Sequence, residues 1–323
     1  MPAFSGKKFP ARPRLIFMGT PDFAVPTLES LMAFPHGGLT VVTQPDKRKG
    51  RGKKIAQPPI KMLALENHIE VLQPEKISDR HFRDTLKNKD PDLIIVVAFG
   101  RVLPKELLAI PEWGVINTHA SLLPKYRGAA PIQWAVLNDE PKTGLTIMRM
   151  DEGLDTGPIL LRQEVEIRED ETAGHLHDRL AVSAGEFMTA FLNRLSEKPL
   201  EERPQENTEA SYAPKIGRQL SLIDWNLPAR RISALIRALD PRPGACTTWQ
   251  ERQIKVFASR VVENHSTHAR PGRVIKIGGG GLIVETAEGA VELRELQVSG
   301  KKKLPADDFI RGFPLPEGAI LGR

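Results

Sequence analysis

The chain is 323 residues long, enough for two domains at about 100–200 residues each. Its 40% hydrophobic and 27% charged content excludes a mainly disordered or collagen-like chain, and its one cysteine, Cys246, excludes an intrachain disulfide framework and a cysteine-rich zinc site. The net charge of +6 is unevenly spread: residues 1–212 hold 28 Lys and Arg against 29 Asp and Glu, whereas residues 213–323 hold 18 against 11, a net of +7.

The basic opening (MPAFSGKKFPARPR) is not followed by the apolar stretch and cleavage site of a signal peptide, so residues 1–12 read as a disordered leader. Residues 14–18 form a short apolar run ending in Gly19-Thr20-Pro21. Residues 22–33 carry apolar positions at helical spacing, with Asp22 as a candidate cap and Pro26 early enough to be tolerated. A strand is predicted at 39–43, helices at 59–67 and 78–88, and a fully buried strand at 92–98. No apolar run reaches the roughly 18–20 residues of a membrane span; the longest, Leu93 to Phe99, suits a core strand. No membrane contact and a cytoplasmic location are therefore expected. A short helix at 105–110, a strand at 114–117, a helix at 130–138, strands at 143–149 and 159–167 and a long amphipathic helix at 173–196 follow. This alternation predicts an α/β domain with a mostly parallel sheet over residues 13–197.

Residues 198–218 are polar, charged and proline-containing, and read as an inter-domain linker. Beyond it the spacing predicts a helix at 228–239, then short β-type runs at 253–257, 273–277, 282–286 and 290–296. Strands at this spacing predict a small barrel or sandwich over residues 219–323.

Lys47, Arg48, Lys49, Arg51, Lys53 and Lys54 place six positive charges in eight residues, interrupted by Gly50 and Gly52. The segment reads as an exposed, mobile loop of the kind that attracts a phosphate backbone, or as a solvated basic loop with no partner.

The densest cluster of special residues is 114–131, GVINTHASLLPKYRGAAP. Asn117 and His119 stand two apart at the end of a predicted strand, so both side chains face one side, at the sheet edge where open α/β sheets bind ligands. An amide and an imidazole together suit the polarisation of a carbonyl and the stabilisation of an oxyanion. Read alone, an N-x-H pattern is more often a capping Asn and a surface His. Asp155 lies between Gly153 and Gly157 on a loop able to approach the sheet. Beside His119 it would orient the ring; alone it is more often a turn aspartate. Other motifs carry less. Gly19-Thr20-Pro21 lacks the full dinucleotide fingerprint. His175 and His177, two apart on a helix, point in different directions. Cys246 has no evident partner base, and the Gly278–Gly281 run reads as a hairpin turn.

RLIFMGTPDFAVPTLESL, TQPDKRKGRGKK, NTHASLLPKYRGAAPIQWAVLN and TGLTIMRMDEGLDTGPIL resemble successive blocks of the methionyl-tRNA formyltransferase family, in its order and spacing. The likeness continues through IDWN (223–226), IRALDPRPGA (236–245) and SGKKKLPADDF (299–309), and covers residues 13–315. The SLLPKYRGAAP block is common to folate-dependent formyltransferases of this fold; the basic loop and the C-terminal blocks point to the tRNA-acting member. The resemblance implies a Rossmann-like formyltransferase domain followed by a smaller OB-like β-barrel that binds tRNA. It implies transfer of a formyl group from the cosubstrate 10-formyltetrahydrofolate to the α-amine of methionyl initiator tRNA, without a metal, by a monomer. It assigns catalysis to Asn117, His119 and Asp155, folate binding to Ser121, Leu122, Leu123 and Pro124, and tRNA binding to Lys47, Arg48, Lys49, Arg51, Lys53 and Lys54. After QPD the family often has arginine, proline and a small residue, where this chain has Lys47, Arg48 and Lys49. The alternatives are a folate-dependent formyltransferase acting on a sugar-nucleotide or small amine, and a non-catalytic RNA-binding protein.

Overall fold

The computed structural model describes residues 8–49, 54–263 and 270–322. The chain divides into two compact units. One comprises Met1–Gly128, Gly144–Val165 and His177–Tyr212; the other comprises Ala129–Thr143, Glu166–Leu176 and Ala213–Arg323.

In chain order the elements that build the first sheet are β1 (Arg14–Gly19), α1 (Val25–Ala33), β2 (Gly38–Val42), then a two-stranded ribbon of β3 (Lys47–Lys49) and β4 (Lys54–Ala56). They continue with α2 (Pro59–Glu66), β5 (Glu70–Leu72), α3 (Arg80–Asn88), β6 (Leu93–Val97), α4 (Lys105–Leu108) and β7 (Val115–His119). After α5 (Pro131–Leu137) come β8 (Lys142–Arg149), β9 (Ile159–Glu166) and the long α6 (Ala173–Glu197). The strands lie in the order β5-β2-β1-β6-β7-β8-β9. The first five are mutually parallel and β8 runs antiparallel to β7. Strand β6 (LIIVV) is buried at every residue, as expected where helices cover both faces of a parallel sheet. Ile16, Met18, Val42, Ile94 and Val96 pack there with Phe82 and Leu86 of α3 and Leu107 of α4. Strand order reverses between β1 and β6, and open α/β sheets bind ligands outside the carboxyl ends at such a point.

The second unit contains α7 (Ala229–Leu239), β10 (Ala245–Trp249), β11 (Arg252–Val262), β12 (Val274–Gly278), β13 (Gly281–Glu285), β14 (Ala290–Val298), β15 (Leu304–Pro305) and α8 (Ala306–Gly312). Its strands form an antiparallel sheet of order β10-β11-β14-β13-β12, with β15 paired on β14. Ile232, Leu235, Ile236 and Leu239 of α7 share a core with Trp225, Ile254, Val256, Leu293 and Phe309, and Leu137 of α5 packs against it. Asp139, just after α5, pairs with Arg230 and, at 2.8 Å, with the buried Arg237 of α7.

Several expectations need correction. Residues 1–7 lie outside the described residues, but Phe9 is 2% exposed and meets Trp113 edge-on at 5.1 Å, so the described part of the leader is packed, not disordered. Residues 22–33 are a 3-10 turn (Asp22–Ala24) followed by α1, and the N-cap is Pro21; Asp22 accepts from the Phe23 N–H instead. Within the basic segment Lys47–Lys49 and Lys54–Ala56 pair as an antiparallel ribbon, with Lys47 opposite Ala56, Arg48 opposite Ile55 and Lys49 opposite Lys54, and residues 50–53 lie outside the described residues. Strand β11 runs on to Val262, paired with β14 from Ser259 opposite Leu293 to Val262 opposite Ala290, and the Ser259 hydroxyl lies 3.1 Å from that of Ser233. Within 198–218 the passage between the units falls at Tyr212–Ala213, and Gln205 and Ser211 are hydrogen-bonded to Arg127 and Tyr126 of the first unit.

Candidate active site

Strand β7 (VINTH) ends at the carboxyl edge of the sheet, beside β6 on one side and β8 on the other. Asn117 pairs with Val96 and Met148, and His119 with Thr146. Val115, Asn117 and His119 share one face of the strand. The Asn117 side-chain amide makes no hydrogen bond among the described residues, so a half-buried donor and acceptor stand ready for a ligand.

His119 is 6% exposed. Its Nε2 lies 2.9 Å from the Tyr126 carbonyl oxygen; a carbonyl only accepts, so Nε2 carries a proton. Its Nδ1 lies 3.7 Å from Asp155 Oδ2, within ion-pair reach but too long for a hydrogen bond. The ring thus stands between two oxygens, one from each of two loops. Asp155 Oδ2 also accepts the Gly128 N–H at 2.8 Å. Tyr126 (φ +62°) and Asp155 (φ +54°) are both left-handed, a costly conformation for residues with a Cβ, and such strain concentrates at functional sites.

Two glycines let the loops come this close. A Cβ on Gly157 would lie 1.8 Å from the Arg149 carbonyl oxygen, and one on Gly144 would lie 2.1 Å from the Gln163 carbonyl oxygen and 2.5 Å from Leu122 Cδ2. In the segment Ser121–Pro124, Ser121, Leu123 and Pro124 are buried. Ser121 Oγ donates to the Lys125 carbonyl at 2.6 Å, and Leu123 packs on Met148 and Ile159. Thr146 pins the segment from β8, donating to the Ser121 carbonyl and accepting from the Leu123 N–H. The part-exposed Leu122 side chain and the backbone are what this segment presents to a ligand.

The ends of β1, β2 and β6 are tied at one atom: the Phe99 carbonyl accepts from Thr20 Oγ1 at 3.2 Å and Gln44 Nε2 at 2.7 Å. From there the basic ribbon rises on a polar root. Asp46 takes Lys61 Nζ on both oxygens, at 2.9 and 2.8 Å, and Gln73 Nε2 at 2.8 Å. The hydrogen bond from Gln73, then that from Lys61, holds the Asp46 carboxyl below the usual carboxylate range. Lys47 and Arg48 are exposed, and Lys47 Nζ donates to Gln44 Oε1 at 2.6 Å. Lys49 and Lys54 are described only as backbone of the ribbon, and Arg51 and Lys53 lie outside the described residues.

Sequence reasoning missed three residues here. Arg127 is 2% exposed, and its guanidinium donates to Gln205 Oε1 and Asn207 Oδ1. Gln205 Nε2 donates to the carbonyls of Asp155 and Gly157. Ser211 Oγ accepts the Tyr126 N–H at 2.9 Å. Arg127 stands within the 114–131 cluster, whereas Gln205 and Ser211 are polar side chains in the middle of a stretch whose composition reads as a connector. Among the described residues no group of three or more His, Cys, Asp or Glu is placed to hold a metal, and no helix is long and apolar enough to cross a membrane.

Residues 13–192 match the family model described as formyl transferase, and residues 215–314 the model of the formyl transferase C-terminal domain. The chain is 43% identical, over 96% of its own length and 100% of the relative's, to a methionyl-tRNA formyltransferase of Acetivibrio thermocellus. Two solved structures share the fold. One is an N-formyltransferase from Helicobacter canadensis in complex with folinic acid and dTDP-3-aminofucose (TM-score 0.68, 20% identity, 87% of this chain and 98% of that one). The other is HypX from Aquifex aeolicus in complex with tetrahydrofolic acid (TM-score 0.64, 17% identity, 97% of this chain and 51% of that one).

Proposed function

The chain belongs to the methionyl-tRNA formyltransferase family, and from that premise we propose that it transfers the formyl group of 10-formyltetrahydrofolate to the α-amine of methionyl initiator tRNA. The observation that carries the acyl-transfer chemistry is the convergence at the end of β7: an unpartnered Asn117 amide on the face that also carries His119, with Asp155 at 3.7 Å from the imidazole.

The mechanism is direct transfer with no covalent enzyme intermediate. The neutral amine attacks the formyl carbon, and negative charge develops on the formyl oxygen. The Asn117 amide supplies one donor to that oxygen. The His119 Nε2–H supplies a second once it exchanges the Tyr126 carbonyl for the developing charge, a stronger acceptor. Asp155 fixes the ring orientation and takes part in moving the amine proton toward the leaving nitrogen of the folate. Alignment of the two substrates contributes a comparable share of the acceleration. The folate-contacting segment is Ser121 to Pro124, through Leu122 and the backbone, and no metal takes part.

We assign the tRNA contacts to the basic residues Lys47, Arg48, Lys49, Arg51, Lys53 and Lys54 and to residues 219–323, which we read as an OB-like fold; the net +7 of residues 213–323 supports this, since a small acceptor needs no such charge. Residues 13–197 are assigned to catalysis, in a cytoplasmic monomer. The test is a formylation assay with purified protein and 10-formyltetrahydrofolate, comparing methionyl initiator tRNA with free methionine. Exclusive use of the charged tRNA is expected, and equal use of both would overturn the tRNA assignment.

A further inference from the structure

His119 stands between two oxygens on separate loops, hydrogen-bonded to the Tyr126 carbonyl at 2.9 Å and within ion-pair reach of the Asp155 carboxylate at 3.7 Å. The ring can keep one orientation only if those loops keep a fixed spacing. One half-buried side chain spans them. Gln205 Nε2 donates to the Asp155 carbonyl at 2.9 Å and to the Gly157 carbonyl at 2.7 Å. Its Oε1 accepts from Arg127 Nε at 3.1 Å and Nη2 at 2.9 Å. Both amide hydrogens and the amide oxygen are thereby used. Arg127 follows Tyr126 directly, and the backbone N–H of the next residue, Gly128, binds Asp155 Oδ2. The guanidinium is almost wholly buried, yet forms no ion pair among the described residues; its partners are the side-chain amide oxygens of Gln205 and Asn207. A buried charge satisfied only by neutral acceptors depends on their exact placement.

We infer that Gln205 is a positioning residue for formyl transfer, tying the Asp155 loop to the Tyr126–Gly128 segment so that the His119 ring stays aligned between the Tyr126 carbonyl and the Asp155 carboxylate. This rests on the roles proposed above for His119 and Asp155. The amide is the group required, because one end must donate and the other accept. A carboxylate in its place would satisfy Arg127 better but would face two carbonyl oxygens with no hydrogen to offer, pushing residues 155–157 away.

The discriminating variant is therefore Gln205→Glu, which keeps the Arg127 contact and loses the Asp155 contact. Full-length Gln205→Glu, Gln205→Ala, Asp155→Asn and the double variant Asp155→Asn/Gln205→Ala are compared with the parent for kcat, for KM of each substrate, for the pH profile of kcat and for the melting temperature. Gln205→Glu is expected to lose about 30-fold or more in kcat, the scale of an ångström-sized misplacement, with both KM values within about threefold. Its melting temperature should stay near that of the parent, and its pH profile should move in the same direction as that of Asp155→Asn. The double variant should be little worse than Asp155→Asn alone, because Gln205 acts through Asp155. If Gln205→Glu keeps kcat within about threefold while Asp155→Asn loses far more, the inference is overturned and the assignment of Asp155 stands. Early melting of Gln205→Glu, or losses that multiply in the double variant, also overturns it, by making the contact structural or independent. If Asp155→Asn itself keeps full activity, the underlying reading of the site falls.

Discussion

Gly157→Ala should damage catalysis far more than folding. The added Cβ would sit 1.8 Å from the Arg149 carbonyl oxygen and 3.0 Å from its carbon, against roughly 3.5 Å for an unstrained contact, so about 1.7 Å must be recovered by movement. Arg149 cannot readily give way. It closes β8, which pairs with β7 along Ile116–His119, and its N–H is held by the Pro158 carbonyl at 2.9 Å. The movement therefore falls on the loop. Asp155, two residues away, would be carried from His119, and the Gln205 bond to the Gly157 carbonyl would be lost. A displacement of that size at a catalytic group costs on the order of 100-fold in rate, while overpacking one methyl costs about 1–3 kcal/mol, a small part of what holds a buried sheet. Steady-state formylation of methionyl initiator tRNA gives the first quantity and thermal melting the second. A Gly157→Ala protein with kcat within about threefold of the parent would refute the argument that this close approach positions Asp155.

Asn117→Ala and His119→Ala should each lower kcat by about 100- to 1000-fold with little change in folate affinity by calorimetry, since each removes an oxyanion donor; retained formyl transfer in both would dismiss the mechanism. Lys47→Ala and Arg48→Ala should each flatten the dependence of log KM for tRNA on log salt by about 0.9, the slope of one phosphate contact, and slopes equal to the parent's would remove the ribbon from the tRNA interface. In the second unit, burial alone would raise the Asp139 carboxyl, but the hydrogen bonds from Arg230 and Arg237 hold it below the ordinary range. A lowered folded value means stability that is complete above the unfolded carboxylate value, about 3.9, and lost as pH falls through the folded one. Asp139→Asn should therefore cost roughly 2–3 kcal/mol at neutral pH, because Arg237 is 5% exposed and loses its carboxylate, and its urea midpoint should vary less than the parent's below pH 4; an unchanged midpoint at pH 7 would contradict this.

Much of the α/β unit was legible because its strands are long apolar runs with helical spacing between them. β1, β2, β6 and β7 fall within one or two residues of their predicted spans, as does the order of helices from α2 to α6. The missed elements share a physical cause. β5 is only three residues long, and β10 (ACTTW) mixes polar residues that pair by backbone alone. In α8 the first-turn Asp307 and Asp308 and the last-turn Arg311 are favourable termini, but the helix brings only a short apolar set to the core, with Ala306 and Phe309 buried in it and Ile310 packed against it. In the basic segment the composition points to a loop, while its described ends, Lys47–Lys49 and Lys54–Ala56, pair as strands beside a root of Asp46, Lys61 and Gln73, residues spread over 28 positions of sequence.

At the site the division is sharper. Asn117, His119 and Asp155 carry their chemistry in side chains, and strand alternation puts the first two on one face, so a reading of residue types could find them. What holds them is mostly backbone: the Tyr126 carbonyl on His119, the Gly128 N–H on Asp155, and the Asp155 and Gly157 carbonyls on Gln205. Every residue but proline offers the same N–H and C=O, so such partners leave no mark in a pattern of residue types; they are fixed only when the fold brings separate segments into register, here from 7 to 50 positions apart. Gln205 illustrates the consequence. Its neighbours are polar and proline-containing because they run along the surface, which is the composition of a connector, and the single side chain that reaches inward is outvoted in any window average. Positioning groups in such stretches must therefore be sought by asking which acceptors a buried charge such as Arg127 has found, rather than by searching for catalytic residue types.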